Sequence, residues 1–228
     1  MKLINLILFT FLSNLASAQF AIISDKDGSC NIRSSAALGD NIFDKLENGH
    51  FVYCLGNSGN WADINYNKNK KEHNGNVYSD RLKVITDYPA LPQVSKGENN
   101  IRFAKDSIKV TVTQQKFDKS KYRFAYYKDA TSQIEFINGK QYWGRDGDLP
   151  TTAYKGITVQ VGTKTINLPL AAYDDLFEPT LEATKVNYDQ QNDILYIQSS
   201  NSDGAGSYDI IWKIEKGVYK NRYVAYGF

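Results

Sequence analysis

Short segments of alternating polar and apolar residues, separated by turn residues, constrain the fold of this chain more than any other feature. In the first part of the chain, they cover residues 20–24, 30–34, 50–55, 60–66 and 76–84. Alternation with a period of two is typical of half-buried β-strands. Five or six short strands within about 70 residues can bury an apolar face only by curling into a small barrel.

The second part of the chain repeats this pattern without repeating the sequence. Strands are predicted at 107–113, 122–127, 134–137, 140–143, 156–161, 164–168, 185–189, 194–199, 208–215 and 219–226. Asn138-Gly139 and Gly162-Thr163 are hairpin signals, and residues 171–177 are predicted to form one or two helical turns. The chain also has 16 Tyr, 11 Phe and a single Met, a composition that favours strands over a helical core. The sequence predicts an all-β protein: a small barrel, then an antiparallel β-sandwich or partly closed barrel domain.

The N-terminal segment is typical of a secretory signal peptide. Lys2 precedes a mainly apolar run at 3–12, and Ala16-Ser17-Ala18 matches the small-x-small pattern that signal peptidase cleaves. The run is too short for a membrane anchor, which needs roughly 20 apolar residues. No later segment is long and apolar enough to span a bilayer. We therefore expect cleavage before Gln19 and a location in the periplasm or outside the cell.

A linker is predicted at residues 87–99, because Pro89, Pro92 and Gly97 interrupt any periodicity there. The expected organisation is a signal peptide at 1–18, a first domain at 19–86 and an all-β domain at 100–228. The last segment is long enough to have a hydrophobic core of its own.

Cys30 and Cys54 are the two cysteines of the chain. Each shares a strand face with an aliphatic neighbour, Ile32 or Val52, so both are expected to point into one small core. In an exported protein such a pair can form a disulfide, which would stabilise the fold by roughly 3–4 kcal/mol. We expect this bridge, with two buried free thiols as the alternative.

Five motifs follow one another through the first domain: DGSCNIRS at 27–34, DKLENG at 44–49, GNW at 59–61, ADINY at 62–66 and GNVY at 75–78. Their order resembles the bacterial SH3 domain, in which an N-x-R-S strand, an L-x-x-G turn, a G-x-W strand start and a G-x-V strand precede a closing Leu, here Leu82. The resemblance covers residues 20–86. One departure is the basic insert at 67–74. The second domain resembles exported β-rich regions of unassigned function and takes no site residues from that resemblance.

The resemblance implies binding of peptidoglycan or peptides, and no chemistry. Four aromatic side chains are candidates to line a binding groove, since their rings combine apolar area with a polar tip: Tyr53, Trp61, Tyr66 and Tyr78. The alternative for Trp61 is a place in the core of the barrel. Arg33 is expected to make a structural hydrogen bond rather than to contact a ligand.

Two glycine-containing loops of the second domain, at 142–150 and 201–208, form a second candidate surface. Such loops can meet at one end of a sandwich and bind a ligand. The candidate residues are Trp143, Arg145, Asp146, Asp203 and Tyr208. The alternative is that both loops are turns in which Gly, Asp and Asn satisfy the local backbone.

Most catalytic chemistry is excluded by the absence of Cys after Cys54 and of His after His73. The second domain therefore supplies no Cys-His pair, no Ser-His-Asp triad and no ligand set for a catalytic zinc. The motifs of serine hydrolases and of phosphate-binding loops are also missing.

Two alternatives based on carboxylates remain. A glycosidase would need a carboxylate pair, for which the candidates are Glu135, Asp146, Glu178 and Asp203. Calcium would need several oxygen ligands, although the EF-hand pattern is absent; the candidates are Asp146, Asp148, Asp203 and Asp209. We expect no enzyme activity, no cofactor and no bound metal.

The net charge of +2 gives no reason to expect a nucleic acid or a membrane surface as partner. We predict an exported, non-catalytic binding protein that recognises cell-wall peptidoglycan or an envelope protein through its SH3-like domain. The main alternative is a periplasmic inhibitor or immunity-type protein that neutralises an exported toxin or a wall-degrading effector. In that case the Trp143 loop would occupy the cleft of the partner, because Trp, Tyr and Arg dominate the hot spots of interfaces.

Overall fold

The computed structural model describes residues 18–130, 133–144 and 149–227. The signal peptide predicted at 1–18 lies outside these residues apart from Ala18, and so do Arg145, Asp146 and Asp148. Strands make up 58% of the described residues, and none of the helices among them reaches seven residues in length. The prediction of an all-β protein is therefore confirmed. Within the described ranges, no helix has the length and apolar character needed to cross a membrane.

Seven antiparallel strands form one curled sheet in the first half of the chain, residues 18–87. They are β1 (Gln19–Ile23), β2 (Ser29–Arg33), β3 (Ile42–Glu47), β4 (Phe51–Ser58), β5 (Trp61–Lys68), β6 (Lys71–Tyr78) and β7 (Leu82–Val84). Their order across the sheet is β3-β2-β6-β5-β4-β1-β7. The sheet curls into a half-barrel around an apolar core that includes Ile23, Ile32, Val52 and Ile64.

The second half, residues 88–227, contains three further antiparallel sheets. Its strands are β8 (Gln93–Lys96), β9 (Asn100–Lys105), β10 (Ile108–Lys116), β11 (Phe124–Tyr126), β12 (Ile134–Ile137), β13 (Thr152–Val161), β14 (Lys164–Asn167), β15 (Lys185–Asp189), β16 (Ile194–Asn201), β17 (Tyr208–Glu215) and β18 (Val218–Tyr226). The sheet orders are β14-β13-β10-β9-β8, β15-β16-β17-β18 and the pair β11-β12. The five-stranded and four-stranded sheets pack face to face, as in a β-sandwich.

The four-stranded sheet is buried on both of its faces. One face contributes Ile210 and Trp212 to the core of the sandwich. The other face contributes Tyr196 and Ile211 to a separate core, which also contains Phe51 and other residues of β1 and β4. The two halves therefore share an apolar interface, and the molecule has three layers of sheet.

Some segments differ from the sequence-based expectation. Residues 93–96 of the predicted linker form β8, an edge strand hydrogen-bonded to β9, and Leu91 is buried beside it. An edge strand pairs on one side only, so it tolerates a short polar sequence that follows a proline. The strands β3 and β9 were not predicted. The helical turns predicted at 171–177 reduce to a single 3-10 turn, Leu170–Ala172.

The predicted disulfide is wrong, because Cys30 and Cys54 are free thiols. Both thiols lie in the same core, as the strand alternation predicted. However, they belong to β2 and β4, and the strands β6 and β5 lie between those two in the sheet. Burial raises the pKa of Cys30 to about 11 and that of Cys54 to about 12, so both thiols stay protonated at neutral pH.

Candidate functional site

A cleft of about 370 Å³ lies on the outer face of the curled sheet, and we call it the Trp61 cleft. Strands β5 and β6 supply its aromatic wall, and β2, β3 and the loop after β1 supply its polar wall. It is lined by Asp25, Asp27, Ser29, Cys30, Asn31, Arg33, Lys45, Trp61, Val77, Tyr78 and Arg81.

A stack of three side chains forms one wall of the Trp61 cleft. Trp61 and Tyr78 lie directly opposite each other on β5 and β6, and their rings stack with centroids 4.0 Å apart at an angle of 21°. The Arg33 guanidinium lies over the Trp61 ring, 5.9 Å from its centroid. Both aromatic side chains are half-buried, so part of the stack remains open to a ligand.

Arg33 is held in place by the loop between β2 and β3. Its Nη1 donates hydrogen bonds to the Gly39 carbonyl at 2.9 Å and to Asn41 Oδ1 at 2.7 Å. The expectation that Arg33 makes structural hydrogen bonds is therefore confirmed. These bonds fix the cation over Trp61, where it also interacts with the face of the ring.

The Trp61 cleft carries charges of both signs. Arg81 and Asp25 form an ion pair at 3.1 Å and neutralise each other. Lys45 and Asp27 are exposed, and neither belongs to an ion pair among the described residues. The cleft therefore offers an ammonium and a carboxylate group beside an aromatic surface.

Tyr53 and Tyr66 do not line the Trp61 cleft with the other two predicted aromatics. Tyr66 is fully buried in the core of the curled sheet, where its hydroxyl donates a hydrogen bond to Asp44 at 2.8 Å. It lies five residues after Trp61 on β5, and an odd offset places two side chains on opposite faces of a strand. Tyr53 is buried in the interface between the two halves.

A second cavity, of about 710 Å³, lies where the two halves meet, and we call it the junction cavity. The first half contributes Ala18, Tyr53 and Leu55. The second half contributes Thr180, Ser200, Asn201, Ser202, Asp203, Gly204, Ser207, Tyr208, Asp209 and Gly227. The Tyr53 hydroxyl and the Ser200 hydroxyl each donate a hydrogen bond to the Asp209 carboxylate.

The two loops predicted to form a common surface do border one cavity, of about 530 Å³. Gly144 and Leu149 line it from the first loop, and Ser202 and Asp203 from the second. Asp203 also lines the junction cavity, so the two cavities adjoin. The predicted residues Arg145 and Asp146 lie outside the described residues.

Trp143 and Tyr208 are more buried than the residues of an exposed binding surface would be. Tyr208 has only 1% of its surface exposed, and its hydroxyl donates a hydrogen bond to the Phe177 carbonyl at 2.8 Å. Trp143 is half-buried, with its ring centroid 4.8 Å from that of Tyr226 and 6.1 Å from that of Tyr208. Its backbone N–H donates to the Asp175 carbonyl.

Two of the carboxylates named for a glycosidase, Glu178 and Asp203, line the same cavity. Glu178 accepts hydrogen bonds from the hydroxyls of Thr151 and Thr152, at 3.1 Å and 2.8 Å, and from the Thr151 N–H. These bonds tie it to the start of β13. Glu135 lies apart, on β12. Across the described ranges, His, Cys, Asp and Glu form no group of three that could hold a metal ion.

The polar contacts of the junction cavity do not follow from the sequence patterns. Asp209 was named only as a calcium ligand, and Ser200 was not named. The sequence does carry a signal for the buried interface, because Phe51–Leu55 and Ile194–Ile197 are continuous apolar runs, which are typical of strands buried on both faces.

Comparisons with protein-family models, curated proteins and solved structures find no match to this chain.

Proposed function

We propose that this chain is an exported, non-catalytic binding protein that recognises cell-wall peptidoglycan through the Trp61 cleft. The observation that carries the proposal is the stack of Arg33, Trp61 and Tyr78 along one wall of the cleft. Half-exposed rings held in a fixed stack give a ligand a large contact area and lose little conformational entropy on binding.

The charges of the cleft suit this ligand class. Peptidoglycan combines sugar rings with short peptides that bear both carboxylate and amino groups. Lys45 is positioned to bind a carboxylate and Asp27 to bind an amine, since both are exposed and lie outside the ion pairs of the described residues. The aromatic wall is left for the sugar rings or the apolar parts of the peptide.

Two features of the sequence support the same proposal. The first is the resemblance of residues 20–86 to the bacterial SH3 domain, whose members often bind peptidoglycan or peptides. The second is the signal-peptide pattern at 1–18, which would deliver the protein to the compartment that holds the cell wall.

The test is retention of the purified protein on isolated peptidoglycan. Trp61→Ala should lower the affinity at least tenfold, because truncation of an aromatic hot spot costs about 2 kcal/mol or more. Lys45→Ala is a second variant that changes an exposed charge without altering the stack. Tyr126→Ala removes another exposed aromatic, on β11, and is the matched control.

Three results would count against the proposal. Failure of the wild-type protein to bind isolated peptidoglycan would exclude wall binding and leave an envelope protein as the ligand. An equal loss for Tyr126→Ala and Trp61→Ala would place the binding surface elsewhere. Loss of binding by Trp61→Ala together with a large fall in its melting temperature, with Lys45→Ala unaffected, would indicate a structural role for the tryptophan.

A glycosidase is the second candidate, because Glu178 and Asp203 line one cavity. Its test is release of reducing ends from isolated peptidoglycan. If the protein releases reducing ends, and Glu178→Gln and Asp203→Asn each abolish this activity, an enzymatic function would replace the binding proposal.

The immunity-type function has less support, since Tyr208 is buried and Trp143 is half-buried.

A further inference from the structure

Positive charge and aromatic side chains are concentrated in residues 116–140, the segment that contains β11, β12 and the 3-10 turn before them. This segment has six Lys or Arg against three Asp or Glu, a net charge of +3, which leaves 21 against 22 and a net charge of −1 for the rest of the chain. Six of its residues are Phe or Tyr. We infer that the β11–β12 hairpin binds the surface of an anionic lipid bilayer, a function separate from peptidoglycan recognition at the Trp61 cleft.

The hairpin is held in place by apolar contacts on one side. Ile134 and Ile137 of β12 are buried with Ala153 and Phe177. Phe124 of β11 is half-buried and packs against the same cluster. The residues next to Phe124 in the chain therefore belong to a surface that is supported from below.

The residues on both sides of Phe124 are exposed to water. Arg123 and Lys128 are exposed, and Tyr126 and Tyr127 have 42% and 40% of their surface exposed. Tyrosine rings are enriched at the level of lipid headgroups, because the ring is apolar and the hydroxyl is polar. Basic side chains beside them are attracted to the surface of an anionic bilayer. This combination of side chains is typical of a protein surface that binds at the membrane interface.

The cations of this surface are available to bind phosphate groups. Lys116, Lys119, Arg123 and Lys128 belong to no ion pair within the described part of the chain. The ammonium group of Lys119 lies 5.8 Å from the centroid of the Phe124 ring, which keeps this charge beside the exposed tyrosines. Contact with anionic headgroups therefore breaks no ion pair of the described residues.

A flat partner suits this surface better than a small molecule does. Arg123, Tyr126 and Tyr127 line neither the Trp61 cleft, nor the junction cavity, nor the cavity of about 530 Å³ beside Gly144. Small-molecule ligands bind in concave sites, whereas a bilayer is contacted by side chains that project from the protein surface. An acidic polysaccharide offers charge but no hydrocarbon region for the two tyrosine rings, so the bilayer is the favoured partner.

The test is cosedimentation of the purified protein with lipid vesicles. Residues 1–18 are omitted, because the apolar run at 3–12 would bind lipid by itself, and every strand from β1 to β18 is kept. The protein should bind vesicles of equal parts phosphatidylglycerol and phosphatidylcholine about tenfold more tightly, or better, than vesicles of phosphatidylcholine alone. Added salt should weaken this binding, since it screens charges at the surface.

Two variants locate the binding surface. Arg123→Gln combined with Lys128→Gln should weaken vesicle binding about tenfold or more, because each cation contributes to the attraction. Tyr126→Ala should weaken it about fivefold or more, through the loss of apolar contact with lipid. The matched control, Arg102→Gln combined with Lys185→Gln, removes two exposed cations elsewhere and should leave binding unchanged.

Trp61→Ala separates this surface from the Trp61 cleft, because it should bind the vesicles as tightly as the wild-type protein does. An equal loss of vesicle binding by Trp61→Ala and Tyr126→Ala would overturn the inference and place lipid binding in the cleft. Failure of the wild-type protein to bind peptidoglycan, with vesicle binding intact, would count against the proposed function alone.

Other outcomes would also overturn the inference. Absence of binding to the anionic vesicles at low salt is one, and equal binding to both kinds of vesicle is another, since it would show that charge has no role. Equal weakening by the control variant would indicate non-specific attraction to the positive charges of the chain. An unchanged affinity of Tyr126→Ala would rule out contact of its ring with lipid, and release of the protein by soluble polygalacturonate would then identify an acidic polysaccharide as the partner.

Discussion

The hydroxyl of Tyr53, in the first half of the chain, donates a hydrogen bond to the carboxylate of Asp209, in the second half. It does so at the edge of an apolar interface in which Phe20 packs against Tyr223 and Phe51 against Tyr196. The apolar contacts hold the two halves together but are non-directional. The hydrogen bond to a charged group is directional, so it fixes the orientation of one half relative to the other.

The first prediction concerns this bond. Tyr53→Phe keeps the ring and removes the donor, so we expect the free energy of unfolding in urea to fall by about 1.5–3 kcal/mol. Tyr126→Phe, at an exposed position, should leave it unchanged. A double-mutant cycle with Asp209→Ala isolates the pair, and a coupling energy near zero would contradict the bond.

A second prediction separates the two faces of β17. Ile210 and Ile211 are both fully buried, but Ile210 faces the sandwich and Ile211 faces the first half. Replacement of either by Ala should cost about 2–5 kcal/mol. Ile211→Ala should also uncouple the halves, so that the calorimetric enthalpy exceeds the van't Hoff enthalpy, whereas Ile210→Ala should not. Equal enthalpies in Ile211→Ala would refute this.

The third prediction concerns the thiols. Iodoacetamide at neutral pH should leave Cys30 and Cys54 unmodified in the folded protein, because both are buried and burial raises the pKa of each. Unfolding in denaturant without reductant should expose two thiols, which mass spectrometry counts as two added groups. Recovery of unmodified protein from the denatured sample would instead demonstrate a disulfide.

A fourth prediction compares two glycines with positive φ. Gly144 has φ +85, and a Cβ there would lie 2.3 Å from the Phe177 carbonyl oxygen. Gly139 has φ +74 with nothing within 4 Å of the same position. Gly139→Ala should therefore cost only about 1–2 kcal/mol of backbone strain, and Gly144→Ala distinctly more, as measured by urea unfolding. Similar costs would mean that the backbone at Gly144 can move away.

The fifth prediction concerns Trp143, the proposed anchor of an immunity-type interface. Its ring packs on Tyr226 and against the sandwich core, so Trp143→Ala should lower the free energy of unfolding by about 2–3 kcal/mol, somewhat less than for a fully buried Trp. Tyr126→Ala is the control, because that residue is 42% exposed and lies on β11. An unchanged melting temperature for Trp143→Ala would restore Trp143 as an exposed binding residue.

The fold class was predictable because alternation and turn chemistry act locally. Asn138 and Gly139 have φ of +53 and +74, as a two-residue turn requires, but the turn closes a single bridge between Ile137 and Lys140, and the strand predicted at 140–143 does not form. The alternation of side chains along a strand also predicts which aromatic residues face the core. Trp61 and Tyr66 are five residues apart on one strand, so only one of them faces the core.

The arrangement of the halves was not predictable from such rules. Strand order depends on which edges meet, and no local pattern places β6 and β5 between β2 and β4. The contact between Tyr53 and Asp209 joins residues 156 positions apart. The continuous apolar run at Ile194–Ile197 indicates burial on both faces, but it does not identify what covers the second face.

Because the four-stranded sheet is buried on both faces, the two halves of this chain are not independent, interchangeable domains. A gene fragment ending at residue 86 would encode a half-barrel in which Phe20, Phe51 and Tyr53 are exposed to water. Such an exposed apolar patch favours self-association. Shuffling of domains between proteins moves units whose surfaces are already complete. Here each half completes the surface of the other, so recombination or inheritance of this architecture has to keep both together.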